Sequence, residues 1–166
     1  MQSTPTLTPI EYLEHQHRHL LEQIENLEKF KTQIERGAPV DYKAFRDEII
    51  YLDRELHFHK RVEEQTIYPL LAVLTGEDGP ASFVVLEHRR MWNMMNQLRE
   101  WAEQTTNNTF NAHLSETLSA FINILRLHIE KENKILFPQV KRLLNRPDSQ
   151  QIINAFHIRF AEQLNG

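Results

Sequence analysis

The sequence predicts an all-α protein, an antiparallel four-helix bundle followed by a short fifth helix. Two observations carry that expectation. Apolar residues recur at three- and four-residue spacing through four long stretches and one shorter one, and no segment alternates with period two. The breaks between the long stretches are short, and consecutive amphipathic helices on short loops pack antiparallel.

The first helix begins at Thr8-Pro9-Ile10-Glu11, where Thr8 suits the N-cap, Pro9 the first helical position and Glu11 a capping box. Its stripe is Ile10, Leu13, Leu20, Ile24, Leu27 and Ile34, and Gly37 and Pro39 end it. The second runs from about Asp41 to Leu74 on Phe45, Ile49, Leu52, Leu56, Ile67 and Leu70, up to the break "TGEDGP" (75–80). The third starts near Pro80, carries Val84, Met91, Met95 and Leu98, and fades into "TTNN" (105–108). The fourth carries Leu114, Leu118, Phe121, Leu125, Ile135, Leu136 and Val140 and stops before Pro147. In the fifth, Asp148 is expected to cap, with Gln151 completing the box, ahead of an apolar edge of Ile152, Ile153, Phe156, Phe160 and Leu164. The expected organisation is a flexible N-terminus (1–7), the bundle (8–146) and a C-terminal helix (147–166) that covers the bundle or meets a partner, with a homodimer through that helix as one outcome.

Composition narrows the functional classes. The chain of 166 residues carries a formal charge of -4 and no Lys/Arg cluster, which argues against a nucleic-acid surface. No apolar run approaches the ~20 residues of a membrane span, and "MQSTPTLTP" lacks the features of a signal peptide, so a cytoplasmic location is expected. Cysteine is absent, which removes disulfides, thiol catalysis and Cys-held zinc or iron–sulfur centres. Histidine is conspicuous at nine copies, so any metal would be held by imidazole and carboxylate.

The histidines fall on the stripes. His17 stands four after Leu13 and three before Leu20; His88 stands four after Val84 and three before Met91. His59 follows Leu56 by three with Glu63 one turn on, and His128 follows Leu125 by three with Glu132 one turn on. "HKRVEEQTIYP" and "HIEKENKILFP" match at His, Glu and Pro, which reads as a duplicated helix pair. Each long helix therefore points one His at the shared core, and two add a Glu. A lone His on such a stripe is ordinarily a hydrogen-bonded core residue, but four on four stripes, with two Glu, are better explained by a metal. Unpaired, the two carboxylates would cost several kcal/mol to bury, and a cation removes that cost.

Other polar residues have ordinary readings. His15, His19 and His57 lie about 200° from the inward positions and should face outward. His113 and His157 have no partner at ligand spacing, and Glu64 lies off the inner face. Glu55, one turn before His59, is a candidate additional ligand or acceptor; Tyr12 and Tyr51 are packing residues able to donate to a ligand. Pro69 and Pro138 should kink or end their helices.

The order His17, His59-x-x-x-Glu63, His88, His128-x-x-x-Glu132, with an aromatic-Pro pair after each motif, resembles the hemerythrin-like (HHE cation-binding) family over roughly residues 8–145. The resemblance implies a bundle holding two non-haem irons under an oxo or hydroxo bridge, with Glu63 and Glu132 bridging and the four His as terminal ligands. The chain departs from the family's oxygen carriers, having Trp92 for a second ligand His on the third helix and Asn133 for the fourth-helix Asp, with Glu132 one residue earlier. It also departs from the iron–sulfur-repair branch, which carries a further ligand His after the first helix where "ERGAPVDY" has none. Six ligands of this kind leave two coordination positions open on a pair of six-coordinate irons, one on each unless Glu55 or water fills one. That arithmetic favours activation or sensing of O2, peroxide or NO over reversible carriage. The competing reading is a non-enzymatic iron carrier, store or sensor, including repair by iron donation. Iron ranks ahead of manganese for this mixed ligation. A ferritin-like oxidase ranks lower, because only Glu14-x-x-His17 fits its motif.

Overall fold

The structure is a computed structural model that describes residues 8–76, 79–104 and 112–166. The expected flexible stretch 1–7, the "TTNN" break, and Glu77 and Asp78 of the "TGEDGP" break lie outside the described residues. Helix α1 spans Pro9–Glu35, α2 Tyr42–Val62, α3 Tyr68–Thr75, α4 Pro80–Gln104, α5 Ala112–Lys131, α6 Phe137–Leu144 and α7 Gln150–Asn165. Five-residue π segments, Glu63–Ile67 and Glu132–Leu136, join α2 to α3 and α5 to α6 without a break, making five helical rods and no strand among the described residues.

Local chemistry sets the rod ends. Thr8 accepts from the Glu11 amide while the Glu11 carboxylate accepts from the Thr8 N–H at 2.8 Å, a complete capping box. Gly37 turns the chain with φ 63°, and Asp41 caps α2 by accepting from the Ala44 amide. The long rods run antiparallel, as the paired contacts Glu14–Lys141, Glu28–Arg126 and Glu35–Ser115 between α1 and the fourth rod require. His57 against Trp92 and Asp53 near Arg99 set the same opposed direction for α2 and α4.

The π segments correct one half of the expectation for the prolines, that they end their helices. Pro69 and Pro138 neither end nor sharply divide their rods; each is preceded by a widened turn in which the Tyr68 amide donates to the Glu63 carbonyl and the Phe137 amide to the Glu132 carbonyl, five residues back. A proline contributes no N–H and crowds the carbonyl four residues before it, and a one-residue slip relieves both. The slip rotates the C-terminal part of each rod by about 100°. Ile135, assigned to the inner stripe at constant period, is consequently 50 % exposed, while Leu136 and Phe137 are buried. Leu71 likewise takes the inner place expected of Leu70, which is half-buried.

Two apolar layers result. One gathers Leu20, Ile24, Phe45, Leu52, Met95, Leu118, Phe121 and Leu125 among others. The second gathers Ile10, Leu13, Val62, Tyr68, Leu71, Val84, Phe137 and Val140, and Phe156 and Phe160 of α7 complete it. Tyr12 meets Phe160 edge-on at 5.3 Å, and Arg61 donates to the Gln163 carbonyl, so α7 lies against the bundle. Leu164, expected on its apolar edge, is 44 % exposed. Asp148 does not cap α7: Ser149 holds the N-cap position, its hydroxyl donating backward to the Leu144 and Arg146 carbonyls, while Asp148 pairs with Arg146. Among the described residues no helix is long and apolar enough to cross a membrane.

Candidate metal centre

Between the apolar layers lies a polar one. His17, His59, Glu63, His88, His128 and Glu132 are each no more than 3 % exposed and meet on the bundle axis. Their ligand-capable atoms form two clusters, His17/His59/Glu63/Glu132 and Glu63/His88/His128/Glu132, each with its atoms within 4.8 Å of one another. Both glutamates belong to both clusters. The Nε2 atoms of His17 and His59 stand 3.0 Å apart, and those of His88 and His128 3.1 Å. Glu63 reaches both pairs, with Oε1 at 2.7 Å from His59 Nε2 and Oε2 at 3.2 Å from His88 Nε2. Glu132 Oε2 lies 3.2 Å from His17 Nε2 and 3.4 Å from His128 Nε2.

Despite that crowding, Glu63 Oε1 and Glu132 Oε2 are buried without a properly oriented hydrogen bond. Four imidazole nitrogens and two carboxylates converge on a common centre, where one oxygen of each carboxylate is left without a hydrogen-bond partner. Buried polar atoms left in this way are costly, and a cation offered to them removes the cost. The donor set is nitrogen and carboxylate oxygen with no sulfur, which suits a first-row transition metal.

The rings are fixed from behind. His17 Nδ1 lies 2.7 Å from Asn133 Oδ1, His59 Nδ1 2.9 Å from Gln16 Oε1, His88 Nδ1 3.0 Å from Glu64 Oε1 and His128 Nδ1 3.4 Å from Glu87 Oε2. Each ring thus has an acceptor oxygen behind Nδ1 and turns Nε2 to the centre, the orientation in which an imidazole can ligate a metal. Glu64, read in the sequence as off the inner face, has this orienting place on His88. The two π segments contribute directly, since Glu64 and Asn133 are the second residues of those turns.

The electrostatics are tightly linked. Burial works against a charged His17, but the carboxylates of Glu132 and Glu63 close beside it outweigh burial and push its pKa up to about 10. His88 is raised to about 9 against burial by its bonds to Glu63 and Glu64. Burial also opposes ionisation of Glu63, yet the facing His59 and hydrogen bonds from His17, His59 and His88 hold its carboxyl well below the usual range. Glu87 is lowered to about 2, chiefly by its bond to His128 and then by Lys131.

Tyr68 is the site residue the sequence reading missed. Its hydroxyl donates to Glu132 Oε1 at 2.7 Å and lies 3.3 Å from Glu63 Oε2 and 3.1 Å from His88 Nε2. Burial, reinforced by the charges of Glu132 and Glu63, raises its pKa well above the usual phenol value and keeps it a donor. The signal was the aromatic-Pro pair after each motif; the π turn brings residue i+5 under the glutamate where a regular helix would bring i+4. The matching Phe137 stacks on His17, centroids 5.1 Å apart and planes at 6°.

The remaining candidates fall elsewhere. Glu55 is half-buried, acts electrostatically on Tyr12 and Tyr51, and belongs to neither cluster. The Tyr51 hydroxyl meets His19 Nε2 at 2.8 Å, and Tyr12 accepts from Gln16, one bond removed from His59. Glu14 pairs with Lys141, away from the centre. His15, His57, His113 and His157 are exposed.

A cavity of about 20 Å3, lined by Leu56, His59, Lys60, His88, Met91, Trp92, Met95 and His128, adjoins the cluster on its α2/α4 side. That holds one water-sized molecule, which needs roughly 10–15 Å3. Lys60 lies over the Trp92 ring at 5.2 Å, and both, with His88, also line an open surface depression.

No curated protein and no solved structure matches the chain. Residues 8–140 match the hemerythrin HHE cation-binding domain. With a buried His/Glu cluster at its centre, the chain belongs to the hemerythrin HHE cation-binding family.

Proposed function

We propose that His17, His59, Glu63, His88, His128 and Glu132 hold two iron ions, and that the protein binds or activates a small oxidant there: O2, peroxide or NO. The observation that carries the dinuclear reading is the sharing of Glu63 and Glu132 between two four-residue clusters that each contain a separate His pair. Iron is favoured by the imidazole and carboxylate donors, ahead of manganese. When bound, the metals supply Lewis acidity and redox capacity.

The chain's own residues supply the rest. The Nδ1 acceptors hold the four rings in one orientation, the two apolar layers exclude water, and Tyr68 holds a proton 2.7 Å from Glu132 Oε1. The adjoining cavity of about 20 Å3, with its largely apolar lining, supports a ligand of only a few atoms. Its size, and the near-complete burial of all six ligands, favour small-oxidant chemistry over iron donation, which would require the rods to part.

The test is metal content per chain after anaerobic Fe(II) loading and desalting, with His59→Ala/Glu63→Ala alongside. Two irons per wild-type chain, lost in the double variant, together with new near-ultraviolet and visible absorption on exposure to air, peroxide or NO, are the expected results. Absence of retained iron in the wild type, or equal iron in the variant, would overturn the assignment.

A further inference from the structure

The atoms behind the four histidines differ between the two halves of the centre. His17 and His59 face amide oxygens, Asn133 Oδ1 at 2.7 Å and Gln16 Oε1 at 2.9 Å. His88 and His128 face carboxylates, Glu64 Oε1 at 3.0 Å and Glu87 Oε2 at 3.4 Å. These are corresponding places in the two helix pairs: Gln16 and Glu87 each precede the lone His, and Glu64 and Asn133 each come directly after the shared Glu. Tyr68 falls on the carboxylate side, 3.1 Å from His88 Nε2, where the amide side has the Phe137 ring on His17. Both acceptor differences therefore lie in one direction, amide oxygens behind one histidine pair and carboxylates behind the other.

A carboxylate accepting from Nδ1–H makes the opposite nitrogen a stronger donor to a cation than an amide does. Two nearby negative groups also favour a cation electrostatically. Lys60 Nζ, 3.9 Å from Glu64 Oε1, and Lys131, paired with Glu87, offset part of that field. Lys60 faces the same Glu64 oxygen as His88 Nδ1 but stands beyond hydrogen-bond distance, and Lys131 takes the other oxygen of Glu87, so both oxygen–Nδ1 contacts persist.

We propose, on the dinuclear reading above, that the two cation positions are inequivalent. The His88/His128 position fills first and holds its cation more tightly, and the His17/His59 position fills second, so the protein passes through a defined one-cation form. Glu64 and Glu87 are the positioning residues responsible.

Two binding steps in the wild type would not suffice as proof, because a second cation always enters against the charge of the first. The informative measurement is anaerobic Fe(II) titration of the full chain by calorimetry, with native mass spectrometry counting bound ions. Glu64→Gln/Glu87→Gln keeps an acceptor behind each ring but makes it neutral; it should weaken the first step roughly 10- to 100-fold and draw the two steps together. Gln16→Glu, made separately, should strengthen the second step. His17→Ala should keep the tight step and His88→Ala should lose it. Thermal melts of the metal-free variants establish that folding is intact. Unchanged step separation in Glu64→Gln/Glu87→Gln, or retention of the tight step in His88→Ala, would sink the inequivalence while leaving two ions per chain. Fewer than two ions in the wild type would sink the dinuclear reading, and the inequivalence with it.

Discussion

Residues 9–75 and 80–144 build nearly the same object twice, and the two copies close the centre differently. Each supplies a lone His, a His-x-x-x-Glu, a π turn that starts on the Glu, and an aromatic-Pro pair. In the first copy the aromatic is Tyr68, hydrogen-bonded into the cluster; in the second it is Phe137, packed flat on a ligand ring. The ligand positions are held in common while the groups touching them diverge. Convergence on a metal constrains the inner residues to one geometry, whereas the layer behind them can change polarity without moving a ligand.

The largest effect should come from breaking what the copies share. Glu63→Ala removes a member of both clusters and should abolish metal retention altogether, whereas His17→Ala, which touches one cluster, should leave one ion per chain. Metal analysis after desalting separates the two, and equal losses would show that the clusters do not act as two positions.

Next is Phe137→Ala. Removal of a fully buried ring should destabilise the metal-free protein by about 3–5 kcal/mol in urea unfolding. Tyr68→Phe keeps the ring and loses the hydroxyl, leaving Glu132 Oε1 without its donor; about 1–3 kcal/mol is expected. A larger cost at Tyr68 than at Phe137 would reverse the view that one copy closes by packing and the other by hydrogen bonding.

The π register gives the sharpest contrast between adjacent residues. Leu136→Ala should cost about 2–5 kcal/mol, and Ile135→Gln less than about 0.5 kcal/mol. Comparable costs at the two positions would mean that the helix keeps constant period through Glu132.

Rods and ligands were legible in the sequence because both keep a period near 3.6: Leu13, His17, Leu20 and Ile24 form one continuous stripe, and all are buried. What the stripe could not show was a change of period. Tyr68, Leu71 and Ile135 all lie in or beyond a π turn, and each is misplaced by one residue when the period is held constant. The Nδ1 acceptors were hidden for another reason. Gln16, Glu64, Glu87 and Asn133 sit beside the stripes and act across a helix interface, so no pattern within one helix marks them. Their place next to a ligand, before each lone His and after each shared Glu, is visible in hindsight. The cap of α7 was misread because Ser149 turns its hydroxyl back onto the preceding helix.

The paired π turns also bear on ancestry. Each is a one-residue slip, and the two begin at Glu63 and Glu132, 69 positions apart, with the proline at the same remove from each. Two separate insertions landing at the same step of two helices would be a coincidence; one insertion in a single helix pair, later copied, explains both. Each four-residue cluster draws on both helix pairs, Glu132 completing the one that holds His17 and His59 and Glu63 the one that holds His88 and His128, so neither pair alone carries a whole cluster.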